Sequence, residues 1–160
     1  MLLEPYKDEL EYIERIHKYN EKEYTIIRLT DTMLKKNIID ANVFVQDILY
    51  KYGVMDFSQL KNGDKKMLPS DLYVGNDEFK TTMSCYRAKT RGDERFWIYG
   101  SDFKKNFLSG DLIYITVNHK NDRVIIINIS KEILTDDFLI RLFGQDRIDD
   151  SLSRLVPKIK

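Results

Sequence analysis

The stretch Ser84-Cys85-Tyr86-Arg87-Ala88-Lys89-Thr90-Arg91-Gly92-Asp93-Glu94-Arg95-Phe96-Trp97-Ile98-Tyr99 reads as two strand-forming arms around a basic turn. Its cations stand at positions 87, 89, 91 and 95. In extended backbone, alternate residues share a side, so these four are expected on one face. Like charges gathered there repel unless an anion meets them. Arginine suits that use because its planar fork can bond two acceptors on guanine or clasp a phosphate, whereas lysine mainly supplies charge. Behind the turn, Phe96, Trp97, Ile98 and Tyr99 form an aromatic, β-prone run that can anchor the tip to a sheet. The plainer alternative is a solvated hairpin whose charges keep an edge strand from aggregating.

The whole chain bounds this reading. With 160 residues it is long enough for one domain with a proper core, expected over residues 1–144. Residues 145–160 are charged, carry Pro157, and read as a linker to a further module. Lys plus Arg and Asp plus Glu each total 26, giving zero net charge. A protein that coats nucleic acid indiscriminately carries a positive excess, because neutralising the backbone supplies most of that affinity. The basic charge is instead concentrated: Lys80, Arg87, Lys89, Arg91, Arg95, Lys104 and Lys105 stand against Asp93, Glu94 and Asp102.

Cys85 is the one cysteine, so an intrachain disulfide and a cysteine-based metal cluster are both excluded. No run approaches the roughly 18 apolar residues of a membrane span, and the start lacks a basic region followed by an apolar block. A cytoplasmic protein with no membrane partner, no metal and no cofactor is expected.

Along the chain, Tyr6, Leu10, Ile13 and Ile16 recur at helical spacing over residues 5–19. A strand is expected over 23–29, a short helix over 32–36 capped by Thr30 or Asp31, and a helix from Asp40 through Tyr52 stopped by Gly53. These two helices invite a helix-turn-helix reading, but Val43, Phe44, Val45, Ile48 and Leu49 make the second too apolar for a DNA groove. The segment 54–66 ends in an Asn62-Gly63 turn flanked by Lys61 and Lys65, a second candidate loop beside the first. Strands are expected over 72–74, 78–87, 95–99, 111–118 and 123–130, the last two joined by a hairpin at His119-Lys120-Asn121-Asp122. A short helix is expected from Ser101 or Asp102 through Leu108, and helical turns over 130–143.

Taken together, Val54-Met55-Asp56-Phe57, the block Tyr86 to Gly100, Ser109-Gly110-Asp111-Leu112-Ile113-Tyr114 and Ile126-Ile127-Asn128-Ile129-Ser130 resemble the EcoRII N-terminal-like DNA-recognition domain of restriction endonucleases. That domain is similar in fold to the plant B-three domain and to the N-terminal targeting region of the McrB-like subunit in LlaJI-type restriction systems. The resemblance spans roughly residues 50–130. It implies an α+β, mainly β fold: an open pseudobarrel of about seven strands with short helices at its ends and an N-terminal helix. It implies sequence-specific binding of double-stranded DNA in the major groove. The partners it implies are a C-terminal motor or nuclease module and the other subunits of a restriction complex, with no catalysis in this chain. Carried onto these residues, Tyr86, Arg87, Lys89, Thr90, Arg91, Asp93 and Arg95 form the recognition block. Lys89 and Arg91 are expected to read base edges, Arg87 and Arg95 to contact phosphates, and Asp93 to orient Arg95 or accept from a cytosine amine. Asn118, His119, Lys120 and Asn121 are candidates for a second arm by hairpin position. The family pattern leads one to expect proline where Ala88 stands.

Two rival functions have their own residues. Asp71 followed by Glu78-Phe79-Lys80 is the kind of pattern with which metal-dependent nucleases hold magnesium, since hard carboxylate oxygens suit that ion. The separation is tight for a hairpin that must bring both carboxylates to one ion. Pseudobarrels of related shape also bind RNA, and a basic aromatic hairpin suits unpaired bases. For single residues the plainer readings are a core role for Trp97, a small buried hydrophobe for Cys85, and no metal site for the isolated His17 and His119.

Overall fold

The computed structural model describes residues 4–20, 22–118, 120–131 and 134–143, without side chains for 4–8. Residues 145–160, read above as a linker, and His119 lie outside the described residues. The seven strands are β1 (Thr25–Arg28), β2 (Ile39–Asp40), β3 (Lys65–Val74), β4 (Asp77–Arg87), β5 (Glu94–Ile98), β6 (Leu112–Val117) and β7 (Val124–Asn128). They form one mixed sheet in the order β1-β6-β7-β3-β4-β5-β2, curled into a half-barrel. Neighbours run antiparallel except β3 beside β7. The helices are α1 (Glu4–His17), α2 (Asp31–Lys36), α3 (Val43–Lys51), α4 (Ser101–Asn106) and α5 (Asp136–Phe143), with a 3₁₀ turn at Phe57–Gln59. The chain is therefore mainly β, an open pseudobarrel with short helices and an N-terminal helix.

Two hydrophobic clusters explain which face is covered. Inside the curl, Leu68, Leu72, Met83, Cys85, Phe96, Ile98, Ile113, Ile115 and Ile126 meet Val45, Ile48 and Leu49 of α3. Outside it, Tyr73, Tyr114, Ile125 and Ile127 are covered by Tyr12, Ile13 and Ile16 of α1 and Leu139, Leu142 and Phe143 of α5. β6 and β7 are thus enclosed on both faces, and every residue in them is buried. Their runs Leu112-Ile-Tyr-Ile-Thr-Val117 and Val124-Ile-Ile-Ile-Asn128 accordingly lack the polar alternation of a half-exposed strand. α1 is tied to the segment just before α5 by Tyr12, whose hydroxyl accepts from the Leu134 N–H at 2.7 Å. Among the described residues this cluster does not reach the outer face where β3, β4 and β5 run on, and a groove remains.

The expected elements stand close to those observed, with three differences. β3 begins at Lys65 rather than 72, because its first residues pair with β4 down to Lys65 opposite Tyr86. Ile39–Asp40 closes the far edge on β5, opposite Phe96 and Arg95, and is too short to announce itself in sequence. α3 is capped by Asn42, whose Oδ1 accepts from the Val45 N–H, and not by Asp40, which belongs to β2. Among the described residues no helix is long and apolar enough to cross a membrane.

Cys85 is fully buried, and desolvation pushes its thiol up to about 12. Such a thiol stays neutral in the fold while the unfolded chain ionises from about pH 8.5. Its contribution to stability is therefore complete below that pH and is lost as pH rises toward 12. Urea titrations of the wild-type chain at intervals from pH 7 to pH 10 are expected to show stability falling above about pH 8.5. Cys85→Ala, whatever its offset at pH 7, is expected to show a shallower fall over that window. Identical slopes contradict a buried neutral thiol.

Candidate nucleic-acid interface

β4 and β5 form the basic hairpin, with Met83 opposite Ile98, Ser84 opposite Trp97, Cys85 opposite Phe96, Tyr86 opposite Arg95 and Arg87 opposite Glu94. Residues 88–93 make the turn, closed by the Ala88 N–H donating to the Asp93 carbonyl and the Gly92 N–H to the Ala88 carbonyl, both at 2.9 Å. This register corrects one expectation. Side-chain phase does not carry across the turn by numbering, because the pairing resets it: Arg95 shares the outer face with its partner Tyr86, while Arg87 points to the inner face. The cations at 87 and 95 are on opposite sides of the sheet.

Arg87, expected as a phosphate contact, is held inside the protein. Its Nε donates to the Leu60 carbonyl at 3.0 Å, Nη1 to the Gly92 carbonyl at 2.8 Å and Nη2 to the Phe57 carbonyl at 2.8 Å. Glu94 lies 3.4 Å from Nη1. One guanidinium thereby fastens the tip of the hairpin to the segment that carries Lys61 and Lys65. Two backbone bonds complete the junction, the Gly63 N–H to the Arg87 carbonyl at 2.8 Å and the Arg87 N–H to the Asp64 carbonyl at 3.0 Å. The two candidate loops are one composite structure. Gly92 is required at this contact: its φ is +77°, and a Cβ there would stand 2.5 Å from Asn62 Oδ1.

Above this junction Lys89, Thr90 and Arg91 are exposed. Beside it the outer face holds an open groove of about 860 Å³. Two cross-strand rows make its floor. In one, Lys65, Tyr86 and Arg95 stand abreast on β3, β4 and β5; in the next, Met67, Ser84 and Trp97 do. Lys89 and Lys104 line the sides, with the Lys104 Nζ 5.7 Å from the centre of the Trp97 ring. No Asp or Glu occurs among the described lining residues. Arg95 Nη2 meets Asp93 Oδ2 at 3.3 Å, an ion pair between two residues of the recognition block expected from sequence. Burial raises the Tyr86 hydroxyl above its usual range, opposed by the charge of Arg95 and a hydrogen bond with it. Trp97 is buried and packs edge-on against Phe103 with ring centres 5.3 Å apart, the core role its neighbours suggested.

The second-arm residues are not brought to this groove. Asn118 is buried and its Oδ1 accepts from the Lys120 N–H at 2.8 Å, while the Lys120 Nζ reaches the Arg141 carbonyl at 3.2 Å. They line a smaller cavity of about 260 Å³ with Asp71, Glu78 and Lys80. Lys80 lies six residues before Tyr86 on β4, roughly 20 Å away along an extended strand. Lys61 sits exposed on the turn that joins the composite tip, its N–H bonded to Asp64 at 3.0 Å. Lys104 and Ser84 were missed in sequence. The alternation of Arg95, Trp97 and Tyr99 with Phe96 and Ile98 was the signal that this strand has an open face as well as a core face.

Asp71, the first carboxylate of the nuclease pattern, is enclosed. Both of its oxygens accept from Arg123 at 2.8–3.0 Å, and Lys80 approaches to 3.5 Å. Asp71 lies opposite Lys80 in the register, whereas Glu78 lies opposite Tyr73 and meets Lys80 at 3.5 Å. A carboxylate enclosed by a guanidinium is a structural ion pair, not a vacant ligand for magnesium. Among the described residues no group of three or more His, Cys, Asp or Glu could hold a metal ion.

Comparisons with protein-family models, curated proteins and solved structures find no match.

Arg87→Ala leaves three carbonyl acceptors without their charged donor and is expected to cost about 2–4 kcal/mol in denaturant titrations. Arg87→Lys recovers little of this, because an ammonium cannot span all three carbonyls. A cost below about 0.5 kcal/mol contradicts the junction described.

Proposed function

We propose that this chain is a sequence-specific duplex-DNA-binding domain, of the kind that serves target recognition in restriction systems, with catalysis left to other modules or subunits. The observation that carries the proposal is a basic groove without carboxylates in its described lining, set beside a braced, protruding tip that exposes Lys89, Thr90 and Arg91. A tip of this kind fits the B-DNA major groove, about 12 Å wide, where base edges are distinguishable. It does not fit the deep, narrow major groove of an RNA helix. Single-stranded nucleic acid is read largely by stacking on open aromatic faces. Here Trp97 is buried and Tyr86 half-buried, which favours the duplex over a single strand. The zero net charge fits a protein that selects its site more than one that coats any polyanion. The EcoRII N-terminal-like resemblance points the same way.

Titration with duplex DNA, single-stranded DNA and structured RNA at one salt concentration is expected to rank the duplex first. Selection from a random duplex library then yields a preferred site. On that site Arg91→Ala is expected to cost about 1–3 kcal/mol and to relax selectivity at one base pair. A loss of equal size on every sequence contradicts base reading by Arg91. A preference for RNA or single strands contradicts the duplex assignment.

A further inference from the structure

We infer that the cross-strand row Lys65–Tyr86–Arg95 is an oxyanion seat that holds one phosphodiester of a bound strand, separate from the tip that reads bases. The inference deepens the duplex-DNA reading and rests on it for the identity of the strand, but the seat itself is argued from the groove alone.

Register places the three side chains abreast on one face, a phenol hydroxyl between two cations. The two arginines on the strands of the hairpin differ in how far the fold satisfies them. All three guanidinium nitrogens of Arg87 donate to backbone carbonyls. Arg95 makes one ion pair, to Asp93, and a hydrogen bond with the Tyr86 hydroxyl, while its Nε is buried with no hydrogen-bond partner. Its side chain keeps 27% of its surface open. An arginine fixed in direction but incompletely bonded is prepared for an acceptor that arrives from outside.

A second, independent feature lies one row away. Ser84 is 3% exposed and lines the groove. A serine hydroxyl in the groove lining can donate to an anionic oxygen. Lys104 stands at the same row, over Trp97. The acids near the row are Asp93, already paired with Arg95, and Asp40, opposite Arg95 on β2. Lys65, Lys89, Arg95 and Lys104 outnumber them, so the field at the seat stays positive. Shape agrees with the assignment: on a duplex the phosphates are the projecting ridges and the bases are recessed, so a recess meets a phosphate and a projection meets a base.

The test follows the Arg95 Nε–H resonance by NMR while inorganic phosphate, and separately the selected duplex, is added to the full chain. Both are expected to shift it, phosphate at millimolar and duplex at far lower concentration. Tyr86→Phe is expected to weaken the phosphate response severalfold, with melting temperature as the check on folding. In parallel, each phosphate flanking the selected site is replaced in turn by a neutral methylphosphonate. Wild-type affinity is expected to fall about tenfold at one or two adjacent linkages, and Arg95→Gln is expected to reduce that penalty below twofold while the other linkages keep theirs. If Arg95→Gln fails to fold, Lys65→Gln serves in the same scan, since it removes the other flanking cation. An Arg95 signal that neither ligand moves, or a methylphosphonate pattern unchanged by both variants, overturns the seat even if the duplex binds. Phosphate binding at Arg95 with no affinity for duplex leaves the seat standing and overturns the DNA reading.

Discussion

The Arg87 guanidinium is the constraint on which the site depends. By bonding the carbonyls of Phe57, Leu60 and Gly92 it joins two loops that are about thirty residues apart in sequence and gives the hairpin tip a fixed base. Charged donors to backbone carbonyls are among the stronger hydrogen bonds available to a protein, and these are only partly open to solvent. Without them the tip would be an exposed turn carrying Lys89 and Arg91, and the cost of ordering it would fall on any binding event. Arg87 thus shapes the tip through its bonds to main-chain carbonyls.

The groove exists because the two hydrophobic clusters cover the sheet unequally. The inner cluster extends across all seven strands, whereas the outer one, made with α1 and α5, stops at β3. Beyond that limit the outer positions of β3, β4 and β5 are left to Lys65, Met67, Ser84, Tyr86, Arg95 and Trp97. The same strands therefore supply core and site, alternate residues going to each, with Cys85 and Phe96 inside and Tyr86 and Arg95 outside. The three basic features are placed differently: Arg87 braces the tip, Arg95 stands on the groove floor where the anion seat is proposed, and Lys89 to Arg91 lie exposed.

Much of the fold was legible from periodicity and caps. The helical spacing around Ile13 and Ile16, the apolar runs of β6 and β7, and the basic hairpin itself each gave the right element. What could not be read is what depends on pairing. Residue parity put 87 and 95 on one side, but a six-residue turn sets the phase of the returning strand by its own geometry, and only the register shows Arg95 beside Tyr86. For the same reason no local signal distinguished Arg87 as a brace, since its acceptors are main-chain carbonyls. Asn118 and Lys120 were proposed from hairpin position alone, and a hairpin at the other end of β4 has no means of reaching this groove. The Asp71 pattern looked like a metal site because Arg123, its partner, lies 52 residues away.

The most direct measurement is amide chemical-shift mapping of the chain with its selected duplex. Perturbations are expected to concentrate at residues 61–65, 84–95 and 101–104, with the cavity around Asp71 and Lys120 and the outer surface of α3 unmoved. Perturbations centred on α3 or on the Lys120 hairpin, with the groove silent, would contradict the account.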